Sequence, residues 1–211
     1  MNEDLQLKKG AGYVLAGGGS TRFGEDKARV IFAGKPMLSR IHDLVSGVTG
    51  TVHVVAPLGR YEDLGAPVIA DRWPGEGPLG GIITALLNTR ECGSDADWNL
   101  MVSCDMPFLT REWLTFLVAR AAVSAADVLV PRSAHGLEPL CACWRGSSEP
   151  PLRDVFSGGV RKVTEALKHL RTEVLDEADW KRFDSAGRLF WNMNTAADYQ
   201  EAQRMLAAEQ T

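Results

Sequence analysis

A chain of 211 residues with 45% hydrophobic and 24% charged side chains can bury a real α/β core, which excludes a disordered or fibrous protein. Its formal charge of −4 argues against non-specific nucleic-acid binding, whose affinity comes from many Lys and Arg contacts to phosphate. The polar stretch 1–10 lacks an apolar signal region, and no run of about 18 apolar residues occurs, so a cytoplasmic protein without a membrane partner is expected.

Short β-branched runs alternate with segments of helical period, the pattern of an α/β fold on a parallel sheet. A strand is predicted over 13–16, followed by a glycine-rich loop and a helix near 37–45. Strands over 52–56 and 68–70 precede a helix near 81–87 and a strand over 99–104. The next helix, 111–122, places Trp113, Phe116 and Leu117 on one stripe, with Thr110 as its cap. Strands follow over 127–131 and 140–144; in the latter Cys141 and Cys143 share a face as core residues. With Cys92 and Cys104, these cysteines show neither paired C-x-x-C nor zinc-site spacing, which favours a reducing compartment. Glu149-Pro150-Pro151 opens a helix that Gly158-Gly159 closes, and 160–170 reads as another amphipathic helix. Thr195 and Asp198 resemble a capping box for a terminal helix through Leu206. One domain over 1–211 is expected, with 1–12 as a flexible start.

The segment from Leu15 to Lys27 directly follows the first strand. Gly17, Gly18 and Gly19 let amide N–H groups approach a ligand, while Arg22 and Lys27 add positive charge for a polyphosphate. The spacing from Gly19 to Gly24 fits a P-loop, but Glu25 and Asp26 stand where Lys and Ser or Thr are required. A dinucleotide fingerprint starting at Gly17 fails at Arg22.

Leu15-Ala16-Gly17-Gly18 through Arg22-Phe23-Gly24 and Asp26-Lys27 resembles the L-A-G-G-x-S-x-R-M-G-x-D-K signature of nucleotidyltransferases, with Phe23 replacing Met. From Leu15 to the terminal helix the chain is similar to the molybdenum cofactor guanylyltransferase family. The resemblance implies a Rossmann-like GT-A fold, a mostly parallel sheet flanked by helices. It also implies that the first strand end (Leu15, Ala16) and the glycine loop bind GTP, and that Lys27 contacts its phosphates. At the end of the second strand Val55-Ala56-Pro57 lacks the family's asparagine, which puts one ribose or base contact in doubt.

Asp71 and Asp105 each follow a predicted strand and would project at the carboxyl edge of the sheet, where open α/β folds bind ligands. Mg²⁺ favours one or two carboxylates completed by substrate phosphates. The resemblance makes Asp105 the magnesium ligand, with Mn²⁺ as a substitute, and Asp71 a second GTP-binding acid. The competing readings are a turn cap before Pro107 for Asp105 and a surface pair with Arg72 for Asp71. Between them Gly77-Pro78-Leu79-Gly80 either approaches a planar base, guanine in the resembling family, or makes a tight helix entry.

For the acceptor, Arg161-Lys162 would begin a helix and attract a terminal phosphate, unless they are merely solvated. Asn192 and Asn194, in the family's N-x-N-T segment, would point the same way and present amides to one ligand; helix entry is the simpler alternative. Glu138 stands where the family commonly has His or Gln before Pro139, so acceptor contacts there stay open.

The implied reaction is attack by the terminal phosphate of molybdopterin or Mo-molybdopterin on the GTP α-phosphate, with Arg22, Lys27 and Asp105 as the catalytic groups. The alternatives are a cytidylyltransferase of the same cofactor, a sugar-phosphate or terpenoid-precursor nucleotidyltransferase, or a non-catalytic cofactor carrier. Other molybdenum cofactor proteins or apo-molybdoenzymes are partners the reading allows.

Overall fold

The computed structural model describes residues 10–17, 26–94, 96–184 and 186–208. Strand β1 (Ala11–Leu15) is buried along its length, as a strand covered on both faces must be. A 3-10 turn at Lys27–Arg29 leads into a hairpin of β2 (Ile31–Phe32) and β3 (Lys35–Pro36), then helix α1 (Met37–Ser46). Next come β4 (Thr51–Ala56), β5 (Val68–Ala70), α2 (Pro78–Glu91), β6 (Trp98–Ser103) and α3 (Arg111–Ala122). The second half supplies β7 (Val128–Ser133), β8 (Gly136–Leu137), β9 (Cys141–Arg145), α4 (Glu149–Ser157) and a one-turn α5 (Val163–Ala166). It ends with β10 (Thr172–Leu175), α6 (Glu177–Trp180) and α7 (Ala196–Ala208).

The main sheet runs β10-β7-β9-β6-β1-β4-β5, with β8 paired to β7. Neighbours β6, β1, β4 and β5 are parallel, as are β10 and β7; β9 enters antiparallel to both β6 and β7. Side chains alternate between two cores. Val14, Val54, Leu100, Cys141 and Cys143 face α1, α3 and α7, while Tyr13, Val55, Met101, Ala142 and Trp144 face α2, α4 and α5. The shared face predicted for Cys141 and Cys143 is therefore present, and all four cysteines are free. At Gly12 a Cβ would lie 2.3 Å from Val45 Cγ1 and 2.6 Å from Thr49 Oγ1, so only glycine lets α1 sit this close to β1.

Most expected elements form. Thr110 Oγ1 accepts from Trp113 N at 3.2 Å, and Trp113 and Leu117 are fully buried. At the last helix, Thr195 Oγ1 accepts from Asp198 N while Asp198 Oδ2 accepts from Thr195 N, the expected reciprocal cap. The helix expected over 160–170 does not form. Gly159 takes φ +97, and only Val163–Ala166 is α-helical before a 3-10 turn at Leu167–His169. Val163, Ala166 and Leu167 are the buried residues at i, i+3 and i+4, so helical spacing arises from a single turn. No helix among the described residues is long and apolar enough to cross a membrane.

Candidate active site

Parallel pairing brings the carboxyl ends of β1, β4, β5 and β6 to one edge, and the hydrogen-bond ladder continues past them. Ala16 N donates to Val55 O at 2.9 Å, Asp71 N to Ala56 O at 2.8 Å and Cys104 N to Leu15 O at 3.2 Å. Asp71 and Asp105 are thereby delivered to the expected edge. The reversed strand β9 starts at this edge, with Ser103 N donating to Leu140 O at 2.8 Å. Met193 N donates to Asp105 O at 2.9 Å and draws the two-asparagine segment onto the same rim.

Lys27 and Asp105 converge: Nζ lies 3.7 Å from Asp105 Oδ2, and the two side chains retain only 18% and 19% exposure. Nζ also donates to Asn194 Oδ1 at 2.9 Å. Asp105 Oδ1 accepts from Ser103 Oγ at 2.6 Å, fixing the carboxylate with its other oxygen toward the lysine. No backbone N–H among the described residues donates to this carboxylate, so a turn cap before Pro107 does not account for it.

Asp71 does not pair with its neighbour. Arg72 bonds Glu91 instead, and Asp71 Oδ1 accepts from Trp73 N at 3.0 Å and Thr84 Oγ1 at 3.2 Å. A Cβ on Gly17 would sit 3.4 Å from Asp71 Oδ2, so Gly17 and this acid are close neighbours.

Asp26 enters the sequence reading only as part of the loop signature, with no site role. It caps the turn bearing Lys27 by accepting from Ala28 N at 3.1 Å, and it also accepts from Tyr61 Oη and Arg60 Nη2, each at 2.9 Å. Burial, then the bond to Asp26, push the Tyr61 hydroxyl pKa well above its ordinary range, so it stays a donor. Tyr61 holds a left-handed φ of 67. Nothing local in the sequence announces a pairing 35 positions apart.

A cleft of about 320 Å³ is lined by Leu15, Ala16, Gly17, Lys27, Asp71, Gly77, Pro78, Asp105 and Asn194, all predicted site residues, together with Asp26, Tyr61 and Ser103 among others. That volume suits a small ligand. A second cavity of about 440 Å³ adjoins it, sharing Pro78, Asp105, Leu140 and Asn194, and adds Glu138, Arg161, Lys162 and Asn192. Asn192 and Asn194 thus face one cavity as alternation requires, with Met193 between them buried in the core.

Among the described residues, two predicted ones stand away from both cavities. Leu79 is fully buried in the core, and Gly80 packs on Trp73, where a Cβ would meet Trp73 Cβ at 3.0 Å. Both lie in the first turn of α2, one turned into the core and the other onto Trp73; Gly81 lines the cleft instead. Arg161 reaches the second cavity from an extended stretch before the one-turn α5. Its guanidinium bonds Glu76 at 2.6 Å and Phe156 O at 2.7 Å and stacks on the Phe156 ring at 4.0 Å. This ties the loop around Gly77 to the wall of the second cavity. Gly18, Gly19 and Arg22 lie outside the described residues.

Residues 12–173 match the family model of the MobA-like NTP transferase domain. A Chloroflexus aggregans protein named "Probable molybdenum cofactor guanylyltransferase" is 32% identical over 203 residues, covering 93% of this chain and 94% of its own. A Bacillus cereus (strain Q1) protein of the same name is 29% identical, covering 96% of this chain and all of its own (100%). The crystal structure of molybdopterin-guanine dinucleotide biosynthesis protein A from Archaeoglobus fulgidus superposes with a TM-score of 0.81 at 26% identity, covering 94% of this chain and 99% of that one. The Rossmann-like GT-A nucleotidyltransferase architecture expected from the sequence is the one observed.

Proposed function

The chain belongs to the MobA-like NTP transferase family, nucleotidyltransferases, and from that premise we propose that it transfers GMP from GTP to the terminal phosphate of molybdopterin or Mo-molybdopterin in the cytoplasm. The observation that carries this reading is that Lys27, in the first of two adjoining cavities, meets Asp105 and Asn194 on the wall the cavities share. A donor nucleotide in the first and an acceptor in the second would meet at that wall.

In the proposed reaction an ionised oxygen of the acceptor phosphate attacks the α-phosphorus of GTP. The bond from that phosphorus to the bridging oxygen breaks, and pyrophosphate leaves with the electron pair. A phosphate monoester is already anionic near neutral pH, so no side-chain nucleophile is needed. Lys27 neutralises phosphate charge, with Asn194 holding Nζ in place. Gly17 lets the chain pass close to Asp71, and the Gly75 to Gly77 loop, with φ +84 and +88 at its glycines, brings backbone against the base. Lys162 and Arg161 lie on the acceptor side.

The donor set fits Mg²⁺, or Mn²⁺ in its place. Asp105 and Asp71 put hard carboxylate oxygens on one cleft, and Mg²⁺ is ordinarily held by one or two carboxylates completed by substrate phosphates. Asp105 would hold the ion, with Asp71 as second carboxylate; when bound, it supplies charge neutralisation on the phosphates.

Pyrophosphate release measured with molybdopterin, Mg²⁺ and each of the four common NTPs tests the proposal. GTP-dependent release is expected. Release with CTP alone would make the chain a cytidylyltransferase, and Mg²⁺-dependent GTP binding without release would make it a carrier.

A further inference from the structure

One group on the second cavity is used by neither phosphate nor metal binding. Glu138 lies on its wall beside Pro139 and Leu140 and is only 9% exposed. Its Oε1 accepts from Ser133 Oγ at 2.6 Å. Ser133 Oγ itself accepts from His135 N at 3.0 Å, so the short contact is the serine proton given to Glu138. Oε2 takes no hydrogen bond from the described residues, and the side chain lines the cavity. No Lys or Arg pairs with Glu138 among the described residues; Arg161, on the same cavity, is held by Glu76. A carboxylate offers about four acceptor positions, and a nearly buried one is stable only when they are met. The apolar neighbours Met106, Pro139 and Leu140 suit a flat ring lying against them.

The geometry points to Glu138 as the residue that selects the acceptor, by accepting the paired N–H donors on the 2-amino-4-oxo edge of its pterin ring. This rests on the proposal above that the acceptor is a pterin phosphate. The exocyclic amine and adjacent ring N–H of that edge lie side by side and point the same way. They meet a carboxylate as a guanidinium fork does, two parallel N–H···O bonds at once. A 2,4-dioxo ring would instead set a carbonyl lone pair against the carboxylate. Burial raises the Glu138 pKa, with Ser133 and His135 opposing the shift. Ligand donors would act in the same sense as Ser133, favouring the ion.

Two measurements on wild type and Glu138→Gln test this. The first is binding of pterin and of lumazine, its 2,4-dioxo counterpart, read from ring fluorescence. The second is GMP transfer to molybdopterin, giving kcat and both KM values. Glutamine keeps the volume and a carbonyl for Ser133, but turns an N–H₂ toward the ligand. Wild type should prefer pterin about tenfold or more, the scale of one bidentate base-edge contact. Glu138→Gln should lose that preference and raise the acceptor KM about tenfold at unchanged GTP KM. A purely structural role would disturb both ligands and both KM values alike and would overturn the assignment. Equal wild-type binding of pterin and lumazine would also overturn it, and needs no variant. Continued GMP transfer in that case would leave the functional reading standing. A protein that keeps a Glu138-dependent pterin preference but transfers nothing to molybdopterin would sustain this site and overturn the reaction.

Discussion

Removing the Lys27 ammonium with Lys27→Ala deletes a charge whose position the structure fixes. Nζ lies 2.9 Å from Asn194 Oδ1 and 3.7 Å from Asp105 Oδ2, inside the cleft, where a bound phosphate oxygen would meet it at ion-pair range. At about 4 Å two unit charges attract by about 4 kcal/mol at an effective dielectric of about 20, and by about 1 kcal/mol in bulk water. With 18% of the side chain exposed, Lys27 sits closer to the first figure. Only the part that grows in the transition state appears in kcat, which leaves about 3 kcal/mol, or about two orders of magnitude. The ion pair with Asp105 is partly open to solvent, so stability should fall by no more than about 1 kcal/mol. Asn194→Ala leaves the Lys27 charge in place, removes an amide that bonds Nζ and lines both cavities, and should cost about tenfold; the double variant should cost less than the product of the two. The assay is pyrophosphate release at saturating GTP and molybdopterin, with urea unfolding as the control for folding. A folded Lys27→Ala protein turning over within about threefold of wild type would refute the role given to this charge.

Tyr61→Phe deletes the 2.9 Å bond to Asp26, which caps the turn carrying Lys27. It should cost about 1.5 to 3 kcal/mol in urea unfolding, the range for a buried hydrogen bond to a charged group, and raise the GTP KM more than the acceptor KM. An unchanged unfolding midpoint would mean that Tyr61 does not hold the turn. Asp127→Asn tests the far edge of the sheet, where Asp127 accepts three hydrogen bonds from Arg171, at 3.0, 3.0 and 2.6 Å, beside β10. The hydrogen bond to Arg171 holds the Asp127 carboxyl below its ordinary pKa. A lowered folded pKa gives stability that is complete above the unfolded value, about 4, and is lost as pH falls through the folded one. Thermal melts should therefore show an equal deficit for the variant at pH 7 and pH 5, closing below about pH 4; a deficit that widens in acid would contradict the assignment.

What was legible in the sequence follows from how local each signal is. Strand ends followed by an acid, as at Asp71 and Asp105, need only an apolar run and its terminus, and both acids reached the cleft. The cap at Thr110 and the reciprocal pair of Thr195 and Asp198 span three residues each, and both formed. The expected helix over 160–170 failed because three buried residues in one turn carry the same period as a longer helix. Strand β10 went unseen because its pattern is half-buried at the sheet edge, with Leu175 its one fully buried residue. The contacts of Asp26 with Tyr61 and of Arg161 with Glu76 join positions 35 and 85 apart, and no periodicity encodes such pairings.

The reversal of β9 explains why the two cavities share a wall. A strand parallel to β6 would arrive at the site by its carboxyl end, and the chain would have to cross the whole sheet between β7 and β9. Because β9 is antiparallel to β7, the connection is a hairpin whose two ends both lie at the site edge, with β8 folded back on β7 inside it. Glu138, Pro139 and Leu140 occupy the last part of that hairpin, and Leu140 O accepts from Ser103 N two residues before Asp105. This wall of the second cavity is thus joined by the backbone ladder to the strand that ends at Asp105. A change of register in β9 would shift Glu138 and Leu140 relative to Asp105, which β1 holds through Cys104 N and Leu15 O, whereas a substitution at Glu138 alters the wall and leaves the strand register as it is.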